Sequence, residues 1–349
     1  MFEIYKGKRV FITGASGIKG TWLTSMLLEL GAFVKGYSFH PQANPFSHFH
    51  LLRNEFEHEY ADIRNFDQLQ TSIRRFRPDF VFHLAAMPIV RKSYEIPVLT
   101  YKTNIIGTVN VLEACRYIES IRSLCLITTD KVYKDQERSE GYFESDVVGG
   151  FDPYSCSKAC CELIIDSYRN SFYKEKEIFI SSCRAGNIIA GGDYASDRII
   201  PDIVRATIEN QDVIIRSPDA VRPFQHVLDC LTGYLLLGEE MYRGVRDLCG
   251  AYNFGPDETI TILELAIKAQ TEWDKITIDV QRNNTLHETK ILRLNSDKAK
   301  THLGWRPQYS IDQAISKTVE WYREFHENRN VITYKQIKEY LDALRTIKG

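Results

Sequence analysis

One short glycine-punctuated turn constrains this chain more than any other stretch. The apolar run Val10-Phe11-Ile12-Thr13 leads into Gly14-Ala15-Ser16-Gly17-Ile18-Lys19-Gly20, and a helical pattern follows at once. Glycines so spaced let the backbone turn tightly between a strand and a helix and approach an anionic group at the helix N-terminus. A strand, a tight turn and a helix open a parallel sheet, because the chain must cross back before the next strand can run the same way. The Gly-Lys-Ser/Thr order of a P-loop is absent, since Lys19 precedes Gly20. With a second strand starting about 13 residues on, Gly14, Gly17 and Gly20 predict a dinucleotide site.

The first half of the chain repeats this alternation. Residues 10–13, 33–37, 80–84, 124–129 and 178–183 read as strands, and 19–30, 66–76, 97–119 and 153–173 as helices. The strands are apolar throughout, the pattern of a sheet covered on both faces. The expected fold is therefore α/β, a Rossmann-type doubly wound parallel sheet with a smaller, mixed C-terminal lobe. Glycine and proline punctuate shorter elements after about residue 184, and a helical pattern returns near 228–243. The expected dinucleotide-binding domain spans 1–184 with about 222–248, and the second lobe spans 185–221 and 249–330. Residues 331–349 read as an appended helix, charged and laid on the surface.

Composition narrows the function. The 349 residues carry 44 basic and 46 acidic side chains, which gives no electrostatic warrant for nucleic acid or an anionic membrane. No apolar run reaches the length of a membrane span, and Lys6, Lys8 and Arg9 run straight into the first strand, so a cytoplasmic protein without a signal peptide is expected. The eight cysteines contain no Cys-x-x-Cys pair; Cys156, Cys160 and Cys161 share one helical stretch, and reduced thiols are expected. His40, His48, His50 and His58 are irregularly spaced, so no metal site is expected.

Three further segments bear on chemistry. The second strand ends Gly36-Tyr37-Ser38-Phe39-His40, without the acid that usually holds an NAD ribose and without an arginine for an NADP phosphate. Asp62-Ile63, after a short third strand, is placed to contact an adenine. Tyr154-Ser155-Cys156-Ser157-Lys158 puts a lysine four residues after a tyrosine, on one helix face. An ammonium beside a phenol, with a cationic nicotinamide nearby, favours the phenolate, so the tyrosine pKa is expected to fall toward a value suited to a general base. Tyr334 and Lys338 share the spacing but lie in the tail helix, far from the cofactor turn. Thr128-Thr129-Asp130-Lys131 closes the strand before Tyr154, where side chains face the cleft.

At these residues the chain resembles an extended short-chain dehydrogenase/reductase, and within that group the sugar-nucleotide 4,6-dehydratases. The resemblance runs from residue 10 to about 322. It is carried by Gly-Ile-Lys-Gly-Thr-Trp-Leu (17–23), Phe-His-Leu-Ala-Ala-Met-Pro (82–88), Thr-Asn-Ile-Ile-Gly-Thr (103–108) and Thr-Asp-Lys-Val-Tyr (129–133). Phe-Asp-Pro-Tyr-Ser-Cys-Ser-Lys (151–158), Cys-Arg-Ala-Gly-Asn (183–187), Asp-Arg-Ile-Ile-Pro-Asp (197–202) and Arg-Pro-Phe-Gln-His-Val (222–227) carry it further. Lysine at 131, where related dehydratases carry glutamate, points to CDP-D-glucose as the sugar nucleotide.

The resemblance implies bound NAD, contacted by Gly14, Ser16, Gly17, Ile18, Gly20, Asp62, Ile63, Leu84, Ala85, Ala86, Thr103, Thr128, Tyr154 and Lys158. It implies catalysis by Thr129, Asp130, Lys131, Tyr154 and Lys158. Tyr154 would take the 4-hydroxyl proton, Asp130 would protonate the departing 6-hydroxyl, and Lys131 would act at C5 as a neutral base or as a charge stabilising the enolate. Met87, Asn104, Asn187, Arg198 and Arg222 would line the pocket for the nucleotide-diphosphate sugar, with Arg222 on the pyrophosphate. His226 would fix a loop, and His83 would pack beneath the nicotinamide. Ala15, Ile18 and Met87 depart from the histidine, phenylalanine and glutamine usual in the family. A homodimer or dimer of dimers is expected, built on the helices near 97–119 and 153–173. An epimerase of the same superfamily and a nucleotide-binding regulatory protein are the competing readings; Asp130-Lys131 argues against the first.

Overall fold

The computed structural model describes residues 1–40, 44, 47–52, 56–135, 140–281 and 293–348. Its centre is a seven-stranded sheet. In chain order the strands are β1 (Arg9–Thr13), β2 (Phe33–Ser38), β3 (Glu57–Tyr60), β4 (Phe80–His83), β5 (Ser123–Ile127), β6 (Phe179–Ala185) and, after four short strands described below, β11 (Ala251–Phe254). Every pairing is parallel, in the order β11-β6-β5-β4-β1-β2-β3. The chain builds outward from β1 to β3, then returns to β4 and builds the other way. That reversal opens a crevice at the carboxyl ends of β1 and β4, where Thr13 lies opposite both Tyr37 and His83.

Period-two alternation decides which face each strand residue covers. Val10, Ile12, Phe80, Phe82 and Cys125 join one core with Trp22, Leu23 and Leu235. Phe11, Val81, Leu124 and Leu126 join the other with Leu69, Val111 and Ile165. Two apolar faces explain why these strands read as unbroken hydrophobic runs.

The helices are α1 (Ile18–Glu29), α2 (Phe66–Phe76), α3 (Val90–Glu95), α4 (Pro97–Tyr101), α5 (Gly107–Cys115), α6 (Pro153–Tyr168), α7 (Ile199–Ile208), α8 (Val227–Tyr242), α9 (Ile262–Glu272), α10 (Asp297–Leu303), α11 (Ile311–Asn328) and α12 (Thr333–Lys348). The long helix expected over 97–119 is interrupted by a π-turn at Lys102–Ile106 and ends at Cys115, and the one expected over 153–173 closes in a π-turn at Arg169–Tyr173. At α6, Asp152 caps the backbone N–H of Ser155 at 2.9 Å, and Pro153 takes the first helical position. The tyrosine one residue later is thus held at a well-defined helix start.

The smaller lobe pairs short strands two by two: β7 (Ile188–Ile189) with β10 (Gln225–His226), β8 (Val213–Ile215) with β13 (Ile278–Val280), and β9 (Val221–Arg222) with β12 (Ile260–Thr261). Two expectations need correction. Residues 251–254, assigned to the lobe, form an edge strand of the main sheet, because their apolar side chains complete its cover beside β6. The tail helix α12 is docked, with Ile337 and Tyr340 fully buried and the Tyr340 hydroxyl donating to Asp229 on α8 at 2.7 Å. Its charges mark only the outward face. Among the described residues no helix is long and apolar enough to cross a membrane, and no group of three or more side chains is placed to hold a metal ion.

Candidate active site

The glycine turn is built for close approach. Gly14 has φ of 74°, and its N–H donates to the Tyr37 carbonyl at 2.8 Å. A Cβ on Gly14 would lie 2.6 Å from the Ala85 nitrogen, and one on Gly20 would lie 2.1 Å from the Gly14 carbonyl oxygen. The chain admits only glycine at both places. Gly17 caps α1 without any side-chain acceptor, so the first N–H groups of that helix stay open to an anion. These features fit the pyrophosphate of a dinucleotide. The Ser16 hydroxyl is 3.4 Å from the Phe39 carbonyl, and Ile18 follows as the first residue of α1.

At the far end of the crevice, Asp62 accepts from the Arg64 guanidinium at 2.8 Å and from its backbone N–H at 2.9 Å. Although burial opposes it, these bonds hold the Asp62 carboxyl below the usual range. Arg64 stands over the Phe39 ring at 6.0 Å, so an arginine does reach the end of β2, from a loop the strand pattern could not reveal. Ile63 is buried against Gly107, and its carbonyl accepts from Asn110.

Beneath the crevice a polar relay ties the cofactor loops together. His83 Nδ1 lies 2.7 Å from the Thr13 hydroxyl, and Nε2 lies 3.0 Å from Thr108. Thr108 donates to the Asn104 carbonyl, and Thr13 accepts from the Ala85 N–H. Each hydroxyl has one proton, so His83 accepts at Nδ1 and donates from Nε2. Burial first, and the Lys158 ammonium second, push the imidazole down to about 3, so it is neutral. The Leu84 N–H donates to the Thr13 carbonyl, while Ala86 and Met87 are partly exposed on the same loop.

Asn104 departs from its expected place in the pocket wall. It is buried, with Oδ1 accepting from the Met87 N–H at 2.7 Å and Nδ2 donating to the Met87 carbonyl and to Ser157. Ser157 in turn donates to the Tyr154 carbonyl. Asn104 is a clamp between the cofactor loop and α6, placed by the π-turn it shares with Thr103.

The reactive groups converge where β5 ends. Thr129 donates to Asp130 Oδ1 at 2.9 Å and interacts with the Tyr154 phenol. Asp130 is buried, and its Oδ2, on the side of Gly186, has no hydrogen-bond partner among the described residues. Lys131 follows in a short 3-10 turn, half-buried and without an ion pair among the described residues. Lys158 donates to the Ile127 carbonyl at 2.9 Å; burial, more than any charge, lowers its pKa. Burial pushes the Tyr154 pKa up to about 12, against the Thr129 hydrogen bond and the Arg198 charge; the expected fall counts on a cationic nicotinamide beside the phenol as well as on Lys158. The Lys158 ammonium is turned to a backbone carbonyl, and desolvation is the largest influence on the phenol.

The Thr128 hydroxyl donates to Glu162, four residues after Lys158. Glu162 accepts from Ser182 at 2.7 Å and pairs with Arg184, which also reaches the Tyr133 hydroxyl and the Glu144 carbonyl. Neither Glu162 nor Arg184 was expected in the site; the i, i+4 spacing from Lys158 was the only sequence signal.

On the lobe side, Arg198 caps α7 and pairs with Asp193 at 2.7 Å. Asn187 is half-buried, its carbonyl accepting from Gln225. Arg222 lies on β9 and donates to the Val221 carbonyl. His226 caps α8 through Nδ1 at 3.3 Å and packs edge-on against Trp22, as befits a structural residue. The Tyr334/Lys338 pair stays on the tail, with Lys338 near Glu29.

A cofactor crevice, a buried tyrosine–lysine helix face and a buried carboxyl with one oxygen unpartnered among the described residues define a class of nucleotide-sugar enzymes on a dehydrogenase scaffold. The chain belongs to the GDP-mannose 4,6 dehydratase family, whose pattern matches residues 11–318. It is 41% identical to the CDP-glucose 4,6-dehydratase of Salmonella typhimurium, over 98% of both chains. Its fold is that of the UDP-glucose 4-epimerase of Thermus thermophilus solved with NAD, with a TM-score of 0.77 at 25% identity, covering 90% of this chain and 99% of that one. It also resembles the dTDP-glucose 4,6-dehydratase of Bacillus anthracis in complex with NAD, with a TM-score of 0.78 at 21% identity, covering 95% and 100% of the two chains.

Proposed function

We propose that this chain is an NAD-dependent sugar-nucleotide 4,6-dehydratase acting on CDP-D-glucose. The reaction gives the 4-keto-6-deoxy sugar nucleotide and water without net oxidation. The observation that carries the reading is the buried Asp130 carboxyl, one oxygen held by Thr129 and the other unpartnered, beside Tyr154. A 4-epimerase needs the tyrosine alone, whereas elimination of the 6-hydroxyl needs an added acid. Near-full-length identity of 41% to a CDP-glucose enzyme supports the substrate.

Bound NAD supplies the hydride acceptor at sugar C4 and the hydride donor at C6. The glycine turn and the open N-terminus of α1 hold its pyrophosphate. Tyr154 takes the 4-hydroxyl proton; Lys158 and Thr129 orient and polarise the phenol. The resulting C4 ketone acidifies the C5 hydrogen, which Lys131 removes as a proton and returns to C5 when hydride enters C6. Asp130 Oδ2 gives its proton to the departing 6-hydroxyl, and water leaves. Arg198 and Arg222 take the substrate pyrophosphate, for which guanidinium forks are suited.

The exposed apolar side chains Val98 on α4, Ile106 in the π-turn and Leu163 on α6 support a homodimer built on these helices. Light scattering at micromolar concentration tests this, and a monomer there overturns it. The activity is tested by incubating the purified chain and NAD with CDP-, dTDP-, UDP- and GDP-glucose. Loss of one water from CDP-glucose, seen by mass spectrometry, is expected. Isomerisation without mass change would replace the reading with an epimerase.

A further inference from the structure

Three lysines belong to the cleft around Tyr154, and the chemistry above uses only Lys131 and Lys158. The third is Lys19, in the first turn of α1 directly after the glycine turn. Its Nζ donates to the Tyr234 hydroxyl at 3.3 Å and stands 5.8 Å from that ring's centroid. Tyr234 is fully buried on α8, so this contact draws the ammonium inward between α1 and α8.

No carboxylate neutralises Lys19 among the described residues. The acids near Tyr154 and Lys158 are engaged elsewhere: Asp130 through Oδ1 with Thr129, Asp152 with Ser155, and Glu162 with Thr128, Ser182 and Arg184. Lys158 has only the Ile127 carbonyl. The two ammoniums feel each other, since Lys158 is pushed down by burial and further by Lys19. Tyr234 in turn is close enough to Tyr154 to be raised by it, after burial and the thiols of Cys230 and Cys183. Lys19 is thus a cation without a carboxylate partner among the described residues, held toward α8 beside the cofactor turn and near enough to Lys158 to lower its pKa.

We propose that Lys19 is a fixed positive charge that disfavours the oxidised, cationic nicotinamide relative to the neutral reduced ring, and so favours oxidation of the sugar at C4. The inference rests on the NAD reading of the glycine turn. Sugar oxidation breaks the C4–H bond and forms the C4 carbonyl; the 4-hydroxyl proton goes to Tyr154, and the electron pair passes as hydride to the ring, whose positive charge is lost. A nearby ammonium repels the ring before that change and not after it.

The test measures binding, not turnover. Dissociation constants for NAD+, NADH and ADP-ribose are determined by calorimetry for the cofactor-free chain and for Lys19→Met, Lys19→Gln and Lys19→Arg. Lys19→Met and Lys19→Gln are expected to tighten NAD+ by ~tenfold while NADH and ADP-ribose move by less than about twofold, as removal of one like charge in a partly buried site predicts. Lys19→Arg keeps the charge and is expected to behave as the parent. An unchanged NAD+ to NADH ratio in both neutral variants overturns the proposal. So does equal weakening of all three ligands, which would make Lys19 a pyrophosphate ligand. Failure of the parent chain to bind NAD+ would instead overturn the cofactor reading itself.

Discussion

Arg184 Nη2 stands 2.9 Å from Glu162 Oε2, with the two side chains only 6% and 5% exposed. The pair links α6, which carries Tyr154 and Lys158, to the loop after β5 through Thr128 and Tyr133. Removing one member of such a pair strands a buried charge and costs about 3–5 kcal/mol. Arg184→Met is therefore expected to lower unfolding stability by about that much in a urea titration. A loss under about 1 kcal/mol would mean that the pair is dispensable.

Asp229 anchors the tail helix, accepting from Tyr340 at 2.7 Å and from the Gln308 N–H at 2.6 Å. Burial, against these hydrogen bonds, raises its pKa from 3.8 to about 6. The folded state therefore favours the protonated carboxyl. This contribution is whole below about pH 4 and is lost as pH rises through 6, by roughly 3 kcal/mol at most. Asp229→Asn keeps the acceptor oxygen and cannot ionise. Relative to the parent it is expected to gain stability between pH 4 and 7. Parallel stability–pH curves across that window would sink the assignment.

The doubly wound sheet, the glycine turn and the helix bearing Tyr154 were legible because each rests on local pattern: apolar runs, glycine spacing and a helical stretch opening at a proline. The edge strand at 251–254 was not, since four residues amid a punctuated stretch announce no periodicity. Nor was the docking of α12, where Tyr340 depends on an acid 111 residues away. Within the site, Asp130 and Tyr154 could be placed from strand and helix ends. Arg64, Glu162 and Arg184 could not, because their roles arise from tertiary partners. The rise in the Tyr154 pKa was missed for the same reason: neighbouring charges can be read along a helix, whereas burial belongs to the whole fold.

His83 is fixed between Thr13 and Thr108 as a neutral imidazole carrying its proton on Nε2. Its depressed pKa means that its contribution to stability is whole above pH 6.5 and is lost as pH falls toward 3. Nitrogen-15 spectra of histidine-labelled protein at pH 5 should contain neutral Nε2–H rings from the buried His83 and His226, and the His83 signal should be the one that vanishes in His83→Gln. A cationic His83 at pH 5 would contradict the relay.

Lys131 separates the two halves of the reaction. It adjoins Asp130 in the turn after β5, while Tyr154 and Lys158 sit on α6. Lys131→Met should therefore leave C4 oxidation intact and block loss of water, a general-base role being worth about 10²–10⁴ in rate. Mixing this variant and NAD with CDP-glucose should give a lasting absorbance of reduced nicotinamide and little dehydrated product. Lys131→Arg distinguishes a base from a charge, because a guanidinium keeps the charge and cannot accept a proton near neutrality. Recovery of elimination in Lys131→Arg would assign Lys131 to electrostatic stabilisation of the enolate. Continued failure would leave proton transfer at C5 as its task. Release of product by Lys131→Met at close to the parent rate would remove Lys131 from the mechanism altogether.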